Sequence, residues 1–124
     1  LGVLLLERGD PAGASEALKE ALRLDANDAS AHNDLGLALG RMGDDRRAGR
    51  EFGEAIRLDP GKKEAHLNLG NLFAREGEPA GAIRQYRLAL AIDPTYGAAR
   101  ANLAAVLRAY GRRLPDDGVP VSKP

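Results

Sequence analysis

The sequence predicts an all-α chain, a solenoid of antiparallel helix pairs, and three observations carry that expectation. First, residue types recur every 34 positions: Gly9, Gly43, Gly77 and Gly111 keep the interval, as do Leu35, Leu69 and Leu103. Ala14, Ala48 and Ala82, Ala21, Ala55 and Ala89, and Asp25, Asp59 and Asp93 keep it too. A period of this size marks stacked supersecondary units, each burying its apolar face against the next. Second, aromatics are 4% of the 124 residues, against 15 glycines and 22 alanines. Such a core is filled by close backbone approach over small side chains rather than by rings. Third, each unit divides into two helical stretches, separated by glycine within the unit and closed by aspartate at its end.

The chain opens on the end of a first helix, Leu1 to Arg8, and a second helix is expected over 11–24. Pro11 sits in the first turn, where a missing N–H costs nothing. The pattern then gives 30–42 with 45–58, 63–75 with 79–92, and a further first helix over 97–110. Gly43, Gly77 and Gly111 end the first helix of each pair, because glycine takes the positive φ of a C-cap cheaply. Asp59-Pro60 and Asp93-Pro94 end the second, since proline disfavours helix at the residue before it. Short turns make the paired helices antiparallel neighbours about 8–10 Å apart. Gly36 and Gly70 fall in mid-helix, at a cost of about 1 kcal/mol each relative to alanine. They are expected to admit the partner helix, with Ala48 and Ala82 facing them. Leu35, Leu39, Phe52, Ile56, Leu69, Phe73, Tyr86 and Leu90 would fill the space around.

Residues 1–111 therefore read as one repeat domain: a partial repeat over 1–28, repeats over 29–62 and 63–96, and a capping helix over 97–110. Residues 112–124 hold three of the seven prolines, a glycine and Asp116-Asp117, which predicts an extended or disordered tail. The start without methionine suggests a fragment or a processed product. Its apolar edge (Val3, Leu4, Leu5, Leu6) is expected to be sticky, open to another copy of the chain or to upstream repeats.

Composition excludes more than it suggests. Lys plus Arg and Asp plus Glu are both 18, which removes the electrostatic case for nucleic acid or an anionic membrane surface. Arg46, Arg47, Arg50, Lys62 and Lys63 are offset by Asp44, Asp45, Glu51, Glu54 and Glu64, as on a solvated helix surface. Without cysteine there are no disulfides, thiolate metal sites or thiol nucleophiles. No run approaches the ~20 apolar residues of a membrane span. The apolar start lacks the basic lead and small-residue exit of a signal peptide. His32 and His66 occupy one column, one per repeat, and are expected to pack between helices rather than to share a metal. Ser15, Ser30 and Ser122 have no repeated histidine or acidic partner. The expectation is a chain without catalytic residues, metal or cofactor: not an enzyme. The compartment is left open, with the cytoplasm favoured.

Two stretches carry a family resemblance. His32-x2-Leu35-Gly36-x2-Leu39 with Ala48-x3-Phe52 and Pro60, and His66-x2-Leu69-Gly70-x2-Phe73 with Ala82-x3-Tyr86 and Pro94, resemble the tetratricopeptide signature W-x2-L-G-x2-Y, A-x3-F, P. Histidine stands where that family often has tryptophan, and Ala104 replaces the glycine in the last helix. The resemblance covers about 1–111 and implies a right-handed solenoid whose first helices line a concave groove. The run Ala65-His66-Leu67-Asn68-Leu69-Gly70-Asn71-Leu72-Phe73 is similar to the superhelix that precedes the catalytic domain of O-linked N-acetylglucosamine transferases, where an asparagine ladder grips a peptide backbone.

Carried over, that resemblance makes Asp34, Asn68 and Asn102 the ladder, and places Asn33, Leu37, Arg41, Asn71, Arg75 and Arg108 on the same face, with Leu67, Ala74, Ala101 and Ala105 between them. An asparagine amide donates and accepts at once, so it pairs with peptide N–H and C=O whatever the side chain. Helices about 10 Å apart would meet an extended chain, rising about 3.3 Å per residue, at roughly every third residue. Asp34 cannot donate when ionised. Arg41, Arg75 and Arg108 would favour acidic groups. The carboxylate clamp of chaperone adaptors resembles Lys-x3-Asn, Asn, then Lys-x3-Arg. The corresponding places here hold Asn33-x3-Leu37, Asn68 and Ala98-x3-Asn102, so only the middle element matches. The expected function is a non-catalytic protein-interaction module holding an extended peptide. The alternatives are a self-assembling scaffold joined through the first edge, or the accessory repeats of a larger glycosyltransferase-like enzyme.

Overall fold

The structure, a computed structural model, describes residues 2–111; the expected tail over 112–124 lies outside the described residues. The described residues form seven helices and no strand: α1 (Gly2–Glu7), α2 (Pro11–Leu24), α3 (Ala29–Arg41), α4 (Asp45–Leu58), α5 (Lys63–Arg75), α6 (Pro79–Ile92) and α7 (Gly97–Tyr110). Each helix packs on the next, and α3 and α5, like α5 and α7, also touch directly. The result is an all-α solenoid of helix pairs whose first helices form one layer. Leu6 is buried in the core and Leu5 packs against it, so only Val3 (49% exposed) and Leu4 (45%) of the apolar edge stay open.

Punctuation at the helix ends is local chemistry. Asp10, Asp28 and Asp44 each accept a hydrogen bond from the backbone N–H three residues on (2.9, 3.0 and 3.1 Å), satisfying a donor that the first turn leaves unpaired. Gly9, Gly43 and Gly77 have φ of 78°, 85° and 74°. At these three positions the glycine amide and the one after it fold back on the helix, as in Gly43 N–H to Gly40 O at 3.0 Å and Asp44 N–H to Leu39 O at 2.9 Å, a Schellman closure. Gly111 departs from this expectation. Its φ is −53° and its N–H makes an ordinary helical bond to Leu107 O, so it continues α7 instead of turning the chain. The aspartate column has a role that sequence reading credited to the prolines. Asp25, Asp59 and Asp93 each accept the N–H two residues on, at 3.1, 3.1 and 3.0 Å, forming the turn between pairs. Asp93 also takes Lys63 Nζ at 2.6 Å. The Lys63 ammonium, then the Thr95 hydroxyl and amide, bring its carboxyl down to about 2.

The mid-helix glycines admit rings, not the alanines expected opposite them. A Cβ on Gly36 would lie 2.5 Å from Phe52 Cε1, and one on Gly70 would lie 2.7 Å from Tyr86 Cε1; Ala48 instead faces Gly40, at 3.9 Å. Between pairs, small residues are matched to large ones. A Cβ on Gly49 would stand 3.3 Å from Leu72, whereas the next junction places Ile83 and Val106 in one buried cluster.

The two histidines tie the helices of each pair together. His32 Nδ1 lies 2.7 Å from Glu51 Oε1 and Nε2 lies 2.9 Å from the Ala26 carbonyl. Both partners only accept, so the doubly protonated ring alone satisfies both contacts. His66 has Gln85 and the Pro60 carbonyl in the same places, both at 2.9 Å. The Gln85 amide can donate or accept, so that ring is satisfied in either state. Burial works against a charged His32, but its hydrogen bonds to Glu51 and Ala26 and the charges of Glu51 and Glu54 outweigh it, and its pKa is raised.

Two predictions follow from this packing. Gly70→Ala is expected to destabilise by about 1–3 kcal/mol by overpacking against Tyr86. Gly53→Ala, on the open face of α4 with nothing within 4 Å, should instead stabilise by roughly 0.5–1 kcal/mol through helix propensity. Equilibrium denaturation giving both variants the same sign would refute the ring-on-glycine contact. An NMR titration should place the His32 midpoint above the ordinary 6.5, and Glu51→Gln, which copies the His66 pairing, should lower it. Since the raised value belongs to the folded state, the stability this ring adds is complete below the unfolded value and fades as pH rises through the folded one. A midpoint unmoved by Glu51→Gln would exclude the imidazolium arrangement.

Candidate functional site

The layer of first helices carries a chain of amides across the repeats. Asn68 Nδ2 donates to Asn33 Oδ1 at 2.9 Å, joining α5 to α3. Asn102 Nδ2 donates to Asn71 Oδ1 at 2.8 Å, joining α7 to α5, and the Tyr86 hydroxyl donates to the same oxygen at 2.6 Å. An amide oxygen has two lone pairs, so Asn71 accepts both. Asn68 and Asn102 are half-buried and in register 34 residues apart, each with one N–H committed to the preceding helix. The second N–H and the Oδ1 of each make no hydrogen bond among the described residues.

Beside Asn68 lies a recess of about 370 Å³, lined by Gly36, Leu37, Gly40, Arg41, Phe52, Asn68, Asn71 and Arg75. Five expected site residues, Leu37, Arg41, Asn68, Asn71 and Arg75, thus meet on one surface. Its remaining walls are the glycines and the ring that set the helix spacing. The sequence marks Phe52 only as packing and does not single out Gly40, although Ala74 and Arg108 of its column are expected on the groove face. Both arginines are tethered. Arg41 Nη1 donates to the Leu6 carbonyl at 2.9 Å. Arg75 Nη2 and Nε reach the two Asp45 oxygens at 2.8 and 3.4 Å, which raises the arginine's pKa and lowers that of Asp45.

Four expected residues stand elsewhere. Asn33 is 5% exposed; it anchors Asn68 and does not present its own amide to the groove. Asp34 lines a separate recess of about 390 Å³ with Leu18, Asp28 and Ser30, between α1, α2 and α3. Burial raises its pKa, with Lys62 lowering it and Asp28 raising it further. Arg108 does not line the recess of Arg41 and Arg75: that recess is walled by α3, α4 and α5, whereas Arg108 lies on α7, in the column of Gly40 and Ala74. Asn102 joins the amide chain without lining this recess. Three of the basic residues named from the sequence have partners: Lys63 pairs with Asp93, Arg47 approaches Asp44 at 3.5 Å, and Lys62 Nζ donates to Ser30 Oγ at 2.8 Å. No helix among the described residues is long and apolar enough to cross a membrane.

A tetratricopeptide repeat model matches residues 33–97, and a TPR repeat model matches residues 2–43. Among solved structures, MamA is 28% identical over 91% of this chain and 66% of its own, with a TM-score of 0.85. The O-GlcNAc transferase of Thermobaculum terrenum is 28% identical over 86% of this chain, at a TM-score of 0.81, but this chain covers only 20% of its length. YrrB, described as a TPR protein with an unusual peptide-binding site, is 27% identical over 82% of this chain and 53% of its own, with a TM-score of 0.78. No curated protein sequence matches significantly. With a family match running over more than half its residues, this chain belongs to the tetratricopeptide repeat family.

Proposed function

We propose that this chain is a non-catalytic interaction module that holds an extended segment of another protein along α3, α5 and α7. The observation that carries this reading is the pair of register-related asparagines, Asn68 and Asn102, each pinned by a neighbouring amide with one donor and one acceptor left over. A peptide bond offers the complementary pair, one C=O and one N–H, at each residue. An amide already fixed in orientation loses little freedom on binding. Both relatives named for peptide binding or for glycosyl transfer lend support: YrrB has a peptide-binding site by description, and the transferase resemblance covers the repeats alone. Leu37 and the glycine-lined wall leave room for side chains of varied size, so backbone contacts would give affinity and the flanking residues selectivity.

The test is binding of peptides selected from a phage-displayed random library against the wild-type chain. Asn68→Ala combined with Asn102→Ala should weaken such a peptide by about tenfold or more, as expected for two lost hydrogen bonds at about 0.5–1.5 kcal/mol each. Circular dichroism should show helicity retained. Asn33→Ala, which frees Asn68 without removing it, should cost less. Equal affinity for the double variant and the wild type would overturn the ladder.

A further inference from the structure

The arginines of the recess are arranged for a ligand of definite charge. The position of a Cβ on Gly40 lies 3.5 Å from Arg75 Nη2, and Arg41 is the next residue along α3. Arg41 and Arg75, from successive repeats, both line the recess, and no carboxylate lines it. Their charges are not equally balanced. Arg75 has Asp45, whereas Arg41 makes no ion pair among the described residues and is held only by the Leu6 carbonyl at 2.9 Å. That tether uses one Nη1 hydrogen and leaves the Nη2 and Nε donors; Asp45 likewise leaves Arg75 its Nη1. A planar carboxylate suits the donors that each guanidinium fork keeps. Asn68 and Asn71 line the same recess, so a backbone held at Asn68 would project a neighbouring side chain between the arginines.

We propose that the recess between Arg41 and Arg75 is a selectivity site for an aspartate or glutamate side chain of the bound peptide; this rests on the peptide reading above. The contrast within the molecule favours an acidic residue here and nowhere else along the groove. The neighbouring recess is lined by Asp28, Asp34 and Glu20 and would repel it. Past α5, the repeat places Ala109 in the column of Arg41 and Arg75. A single acidic position, rather than an acidic tract, is what such a surface reads.

The experiment uses the full 124-residue chain and the same phage-displayed random peptides, fused so that no free C-terminus is presented and only side chains supply carboxylates. Wild type should enrich peptides in which one position is dominated by Asp or Glu. Changing that residue to its amide should weaken binding about tenfold, with the acidic peptide losing affinity as salt rises and the amide peptide far less. Arg41→Gln should abolish the acidic preference while still capturing peptides; Arg75→Gln should do the same, and Arg41→Gln keeps the test valid if the orphaned Asp45 disturbs folding. Enriched peptides with no acidic position, or a preference unchanged in Arg41→Gln, would overturn this site while leaving peptide binding standing. Failure to enrich any peptide would overturn both.

Discussion

Everything on the groove side depends on rings being allowed to lie directly on helix backbone. Phe52 against Gly36 and Tyr86 against Gly70 occupy the volume that any Cβ would need. They bring α4 onto α3 and α6 onto α5 at a distance that a larger residue would increase. Glycine's cost to an isolated helix, about 1 kcal/mol, is offset by the burial of a whole aromatic side chain, worth roughly 1.5–3 kcal/mol.

The polar surface is coupled to that packing through one atom. Tyr86, whose ring covers Gly70, sends its hydroxyl to Asn71 Oδ1, and the same oxygen holds Asn102. Ring contact, groove amide and the next rung are thus one connected unit in the second pair. In the first pair the tyrosine position is Phe52, without a hydroxyl, and the asparagine position is Leu37. No polar atom there is left wanting, and the rung at Asn68 is held from Asn33 instead. The two rungs reach similar half-burial by different routes.

The 34-residue period made the fold legible because every repeat testifies to the same helix boundaries. The expected 45–58, 63–75, 79–92 and 97–110 coincide with α4 to α7, and 30–42 differs from α3 by one residue at each end. The site was less legible for the same reason. A column tells which face a residue shares, not whether its neighbour will take up its hydrogen bonds. The family resemblance puts Asn33 on the groove face, yet it is buried as the acceptor for Asn68. Arg108 looks like a third arginine at a spacing of 33 instead of 34, and that single residue puts it in the column of Gly40 and Ala74. The Asp45 partner of Arg75 comes from the preceding second helix, 30 residues back, an interval no repeat column contains.

A strictly periodic groove would bind a peptide equally well in any register. Here, equivalent positions differ at each step: Asp34 against Asn68, Leu37 against Asn71, Phe52 against Tyr86, and Glu51 against Gln85 beside the two histidines. The first two exchanges set an acidic recess next to α1 and α2 against a neutral amide chain leading to α7, while Arg41 and Arg75, one residue type in one column, line the recess between α3 and α5. On the proposed peptide reading, a ligand displaced by one repeat toward α1 would exchange Arg41 and Arg75 for Glu7 and Arg41, the residues 34 positions back. Replacing one guanidinium by a carboxylate would favour one register over the other for an acidic side chain.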